Sequence, residues 1–199
     1  MPAKYESGKG LLMRPPPAPR ARDALDQLRI DHERIRRLLR DHERLRQGCQ
    51  SGGLDGKAEL VDRLCDALSL CALIEEEIFY PVVRPVLDGA LLEQTILCDH
   101  ARLRRLIARL DEMDPRDPDY DDAVADIGDC VLPSMDDAQA VLFAQVRRAG
   151  LDTVALGEQM ARRRRAQQQQ DVTRIGLPDS ESSAVQATGW PPSCHLALL

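Results

Sequence analysis

The sequence predicts an all-α protein, an up-down-up-down four-helix bundle with an extra C-terminal helix, and three observations carry that prediction. Four long segments repeat apolar residues at alternating steps of three and four, the spacing of helices packed at small angles. Clusters of Gly, Pro and Ser separate those segments, and the first and third connections are short, which places consecutive helices antiparallel. Aromatic residues make up only 3% of the 199. The core is therefore built mainly from Leu, Ile, Val and Ala, which favours helices over sheets, whose cores draw on aromatic and β-branched residues.

Residues 1–21 carry Pro15, Pro16, Pro17 and Pro19 in quick succession and read as a disordered leader. The bundle is expected over 22–150. Its first helix runs from about Asp23 to Arg46 with the stripe Leu25, Leu28, His32, Ile35, Leu39, His42. Ser51-Gly-Gly breaks the chain. The second, about Gly56 to Tyr80, presents Val61, Leu64, Leu68, Cys71, Glu75 and Ile78, and ends near Pro81, Pro85 and Gly89. The third, about Ala90 to Met113, presents Ile96, His100, Leu103, Ile107 and Leu110, and Pro115 with Pro118 closes it. The fourth, about Tyr120 to Arg147, presents Tyr120, Val124, Ile127, Val131, Ser134, Ala138 and Val141. Pro133 lies inside it, where a lost backbone bond costs about 3 kcal/mol and a kink is expected. A flanking helix is expected over 151–166, and the aperiodic stretch 167–199 reads as a disordered tail.

A net charge of −6 gives no reason to expect nucleic acid as a partner. Basic runs are local: Arg34, Arg36, Arg37 and Arg40, and Arg162 to Arg165, the latter read as a solvated helix end rather than a contact for an anionic partner or membrane surface. Lysine occurs only at positions 4, 9 and 57, which reads as coding bias. The six cysteines form no Cys-x-x-Cys pair, and four fall in predicted helices, so reduced thiols and a cytoplasmic location are expected. The N-terminal apolar run is too short for a signal peptide, and no segment approaches membrane-spanning length.

The polar residues on these stripes are the informative ones. Cys71 and Glu75 are four apart and share a helix face. A carboxylate on a core stripe is costly unless it is paired, protonated or bound to a metal. At ~1.5 Å rise per residue, His32, Cys71, Glu75, His100, Ser134 and Ala138 all fall within a slab of roughly two turns of an antiparallel bundle. Two histidines, a carboxylate and a thiol thus aim at one volume. His42 lies roughly 15 Å further along the first helix and reads as a bundle-end residue. Glu76 and Glu77 are expected to face solvent or a neighbouring helix.

The segment Cys-Ala-Leu-Ile-Glu-Glu-Glu-Ile-Phe-Tyr-Pro (71–81) resembles the first ligand helix of the haemerythrin-like cation-binding domains, whose pattern is His-x-x-x-Glu followed by Ile/Leu-Phe-Tyr-Pro. Asp31-His32-Glu33 is similar to the family's first histidine motif and Asp99-His100 to its third, and the resemblance covers about residues 22–166. It implies a non-haem metal centre, in the family usually two irons bridged by carboxylates. Here Cys71 replaces a histidine, and counting back from Leu142-Phe143-Ala144 places the fourth-helix ligands at Ser134 and Ala138, both lost. The metal candidates are therefore His32, Cys71, Glu75 and His100. This mixed set suits iron or zinc, at most one per chain. The metal ion is the expected partner, with iron, oxygen or redox sensing as the function. The alternative is a metal-free bundle acting as a structural or interaction module, with Cys71 a small core hydrophobe. No nucleophile–base pair or phosphate-binding loop points to an enzyme, and a protein partner is not indicated.

Overall fold

Asp23 opens the first helix by accepting a hydrogen bond from the Asp26 backbone N–H at 2.8 Å, which satisfies an otherwise orphaned donor. The structure is a computed structural model that describes residues 23–48, 53–86 and 89–175, with side chains described except at 89–99 and 171–175. Helix α1 spans Ala24–Arg46 and ends on Gly48, whose φ of 71° suits glycine and whose N–H bonds to the Leu45 carbonyl. Helix α2, Gly53–Ile74, continues through a π-helical turn, Glu75–Phe79, into the short α3, Tyr80–Val83, and a 3-10 turn, Arg84–Val86. Helix α4 is Gly89–Asp111. Helix α5, Tyr120–Asp137, runs through a second π-helical turn, Ala138–Leu142, into α6, Phe143–Arg148. Helix α7 is Thr153–Ile175.

These elements form the predicted four-helix bundle plus a fifth helix, with no strand among the described residues. Helices α1 and α2 pack together, α4 pairs with α5, and α1 closes on α5. Helix α7 lies along α1 and also touches α2 and its π turn. The core is aliphatic as expected, with Leu25, Leu28, Ile35, Leu64, Leu68, Ile74 and Ile127 fully buried beside Phe79 and Phe143. Among the described residues no helix is long and apolar enough to cross a membrane.

Two expectations change. Helix α7 extends to Ile175, so residues 167–175 are helical and belong with the flanking helix rather than the tail. The leader 1–21 and the rest of the tail lie outside the described residues. The reduced state expected for the cysteines does not hold at Cys65, which is disulfide-bonded, whereas Cys71 keeps a free thiol. A helical position does not prevent a disulfide, because pairing depends on the geometry between two residues rather than on the local fold of either.

The stripes on the second and fourth helices also slip by one residue. Beyond Glu75 the buried residue is Phe79, with Ile78 only partly buried. Beyond Val131 it is Met135, then Leu142 and Phe143, while Val141 is 47% exposed. The core face therefore steps Cys71–Glu75–Phe79–Val83 and Val131–Met135–Gln139–Phe143, always by four. In a straight α-helix each such step drifts by about 40°, since 3.6 residues make a turn. The π-helical turns take up the accumulated drift with one extra residue apiece. Pro133 is exposed, and α5 remains helical past it to Asp137.

Helix α7 is packed rather than merely flanking. Leu156 and Met160 enter the core, and Gln27 Nε2 donates to the Gly157 carbonyl at 2.7 Å. Met160→Ala should therefore lower the unfolding free energy by about 2–4 kcal/mol, read from urea titrations. A loss of under about 0.5 kcal/mol, the level of a surface change, would mean that α7 does not complete the core.

Candidate metal centre

Four residues from three helices meet around one carboxylate. His32 comes from α1, Cys71 from α2, Glu75 from the first residue of the π turn, and His100 from α4, and all four are buried. His32 Nε2 lies 3.4 Å from Glu75 Oε1, and His100 Nε2 lies 3.2 Å from Oε2. Each carboxylate oxygen thus faces one imidazole. Ligand atoms of His32, Cys71 and Glu75 fall within 4.8 Å of one another. The Cys71 thiol and the Tyr80 hydroxyl lie close enough to Glu75 to feel its charge. Tyr80 reaches it because the π turn carries an extra residue, returning position 80 to the face of position 75, with the Tyr80 N–H bonded to the Glu75 carbonyl.

The outward nitrogens of both histidines have partners. His100 Nδ1 is 2.9 Å from Glu76 Oε1, and Arg104 pairs with the same carboxylate. His32 Nδ1 is 3.3 Å from Gln139 Nε2 on the second π turn. Phe143 stacks against the His32 ring, with centroids 6.2 Å apart and planes 19° from parallel. The Arg29 guanidinium lies 5.3 Å from the centroid of Phe143. Glu76, as an acceptor on the far nitrogen of His100, fixes ring orientation and tautomer as such partners do for metal-ligating histidines in general.

Charge follows from these contacts. Burial would raise the Glu75 pKa, but hydrogen bonds from His100 and His32 override it and hold the carboxyl at about 2. Burial would depress His100, yet its bonds to Glu75 and Glu76 lift it to about 9. Burial, reinforced by the Glu75 charge, pushes both the Cys71 thiol and the Tyr80 phenol well above their usual values. Beside the site, burial raises Asp31 against the opposing pull of Arg164 from α7.

The structure brings the four candidate residues together but corrects their fourth-helix counterparts. Ser134 and Ala138 are one residue out of register, and Met135 and Gln139 take the inward positions. The error came from a step of three after Val131, where the helix takes a step of four. The correct signal was in the sequence: Met135-x-x-x-Gln139-x-x-x-Phe143 repeats the spacing of Cys71-x-x-x-Glu75-x-x-x-Phe79. Glu76 faces His100 on α4, and no stripe flags it because the π turn widens the inward arc. Glu77 pairs with Arg163 on α7 at 2.6 Å, and Arg164 pairs with Asp31. Arg163 and Arg164 therefore clip α7 beside the ligand-bearing segments, and the basic run is not wholly a solvated end. His42 sits apart from the centre, buried, with Nε2 3.1 Å from Asp121 Oδ1, which also takes Lys57 Nζ at 2.6 Å.

The chain belongs to the hemerythrin HHE cation-binding domain family, whose pattern it matches over residues 23–148. A curated relative, a protein named DNA nickase from Nostoc sp. (strain PCC 7120 / SAG 25.82 / UTEX 2576), is 25% identical over 122 residues. That match covers 61% of this chain and 33% of the relative, so the chain spans about a third of that protein's length. No solved structure matches the chain.

The donor set fits one cation. His32, Cys71 and Glu75 form the group whose ligand atoms lie within 4.8 Å of one another, while His100 meets the other oxygen of Glu75. An imidazole, a carboxylate and a thiol are donors that borderline divalent metals take. Met135 and Gln139 add no charge on the fourth helix, so a second cation has no carboxylate of its own there.

The metal-free cluster should stabilise the fold in a pH-dependent way. His100 has its folded pKa raised to about 9 from 6.5. Its contribution is therefore complete below pH 6.5 and lost as pH rises toward 9. With chelator present, urea-unfolding stability should fall across that window, and His100→Gln should flatten the decline. An equal decline in the variant would show that His100 is not the group responsible.

Proposed function

We propose that this chain is a hemerythrin-like cation-binding domain holding at most one metal ion, through His32, Cys71, Glu75 and His100. The observation that carries this reading is the aim of both imidazoles. Each turns Nε2 to Glu75 and keeps Nδ1 on a separate partner, while Cys71 stands within ligand distance of the same carboxylate. Non-haem iron or zinc suits such a mixed set, and a bound cation would supply Lewis acidity, or one-electron redox chemistry if it is iron. The residues bind and orient. Glu75 provides negative charge, Glu76 holds the outward nitrogen of His100, and the aliphatic walls with Phe143 keep water from the donors. Uptake must displace the thiol proton, because a coordinating cysteine is a thiolate. The role we assign is binding, with iron, oxygen or redox sensing in the cytoplasm. The nickase named above is a longer protein matched over a third of its length. Its action on DNA is not carried over to this chain.

A second reading has its own support. Each oxygen of Glu75 already meets an imidazole, with a thiol and a phenol nearby, so the carboxylate has partners without a cation. In that case the bundle is a structural or interaction module.

Elemental analysis of protein purified without an affinity tag separates the two. We expect no more than one equivalent of iron or zinc, falling to near zero in Cys71→Ser. Two equivalents in the wild type would contradict the single-cation reading. Because the register is now known, Met135→His with Gln139→Glu should restore the second half of the family pattern and raise the loading above one. If the wild type and Cys71→His both take up no metal, the module reading stands instead.

A further inference from the structure

Gln139 occupies the inward position on the second π turn, and its amide meets His32, the most deeply buried of the candidate ligands. We propose that Gln139 is the positioning residue for His32, and that rotation of its amide couples the His32 tautomer to occupancy of the centre. The proposal rests on the metal reading above for its second half only.

The argument is one of donors and acceptors. The structure places Gln139 Nε2 3.3 Å from His32 Nδ1, so the amide N–H donates and Nδ1 accepts. A neutral imidazole carries one proton, which then sits on Nε2 and points at Glu75 Oε1, 3.4 Å away. That arrangement satisfies Glu75 in the empty site. It also blocks coordination, because a cation between His32, Cys71 and Glu75 needs the Nε2 lone pair. On binding, the proton leaves Nε2 and Nδ1 takes one up, so the ring stays neutral. The new Nδ1–H then needs an acceptor. Phe143 covers a face of the ring and cannot serve as one. A half-turn of the Gln139 amide presents Oε1 in place of Nε2, since an amide carries both a donor and an acceptor.

A side chain that lacks either a donor or an acceptor cannot serve both states from position 139. A carboxylate only accepts when ionised, and would favour Nδ1–H even in the empty site. A leucine would do neither, leaving Nδ1 buried without a partner. The amide adds no charge beside Glu75, so the electrostatics of the single-carboxylate site are kept. Met135 and Phe143, four residues to either side, hold the π turn against the core and so fix where the amide can reach.

The test uses the full chain labelled with nitrogen-15. Long-range proton–nitrogen correlations report which His32 nitrogen is protonated, first with chelator and then with one equivalent of zinc. Zinc affinity is read by competition with a chromophoric chelator. Wild type should show Nε2–H when empty and Nδ1–H with zinc. Gln139→Leu should mix the two tautomers in the empty protein and weaken zinc binding about 10–100-fold, the usual effect of losing such a partner. Gln139→Glu should show Nδ1 protonated even without zinc, which keeps the assignment testable should the leucine variant not fold. Nδ1–H in the empty wild type would overturn the proposal. So would a leucine variant with unchanged tautomer and affinity. Failure of the wild type to take up zinc would overturn the metal reading alone, and the empty-state comparison of wild type with Gln139→Glu would then decide the role of Gln139.

Discussion

The Glu75 carboxylate is the constraint around which the bundle is arranged. A buried carboxylate without partners costs several kcal/mol, roughly, and chains ordinarily avoid placing one there. This chain places it on a core stripe and surrounds it with His32 from one side and His100 from another. Meeting that requirement fixes the inward faces of α1 and α4 relative to the second helix. Removing one partner would leave charge stranded and cost about 3–5 kcal/mol. The shifted groups nearby follow from the same centre. His100 rises because it faces two carboxylates, and Cys71 and Tyr80 rise because they are buried beside a fixed negative charge.

The second shaping feature is the pair of π-helical turns, one on each side of the centre. Turns of this kind are rare and recur at functional sites. Here they have a plain geometric cause. Each helix presents inward residues at consecutive steps of four, which a regular α-helix cannot keep on one face. The two helices carry the same pattern in different chemistry: Cys71, Glu75 and Phe79 on one, Met135, Gln139 and Phe143 on the other. The aromatic residue is the same on both, and Phe79 and Phe143 pack edge to face, with centroids 6.4 Å apart. The second helix thus brings a thioether and an amide where the first brings a thiol and a carboxylate. One half of the centre keeps charge, and the other has become neutral packing and hydrogen bonding. Helix α7 is joined to the charged half, through Arg164 to Asp31 and Arg163 to Glu77.

Much of this was legible in the sequence, and the losses have identifiable causes. Alternating steps of three and four located every helix of the bundle and put His32, Glu75, Cys71 and His100 at one level. Within the first π turn the 3.6-residue repeat points to Ile78 where Phe79 is buried, and on α5, ahead of the second turn, a step of three from Val131 points to Ser134 where a step of four buries Met135. Glu76 and Glu77 turn to neighbouring helices as expected, and what periodicity does not give is that the partner of Glu76 on α4 is His100 itself. The apolar period of α7 ends at 166 because glutamines 167–170 carry none, yet their good helix propensity lets the helix continue to Ile175. The Cys65 disulfide was not legible at all, because pairing is a matter of three-dimensional proximity.

The account stands on one mixed site in which a thiol joins two imidazoles around Glu75. X-ray absorption at the zinc edge of protein loaded with one equivalent of zinc reads those donors directly. It should give one sulfur at about 2.3 Å and nitrogen or oxygen neighbours at about 2.0–2.1 Å. A shell of light atoms with no sulfur would contradict the account, because it would leave Cys71 as packing and Glu75 bound by a different set of ligands.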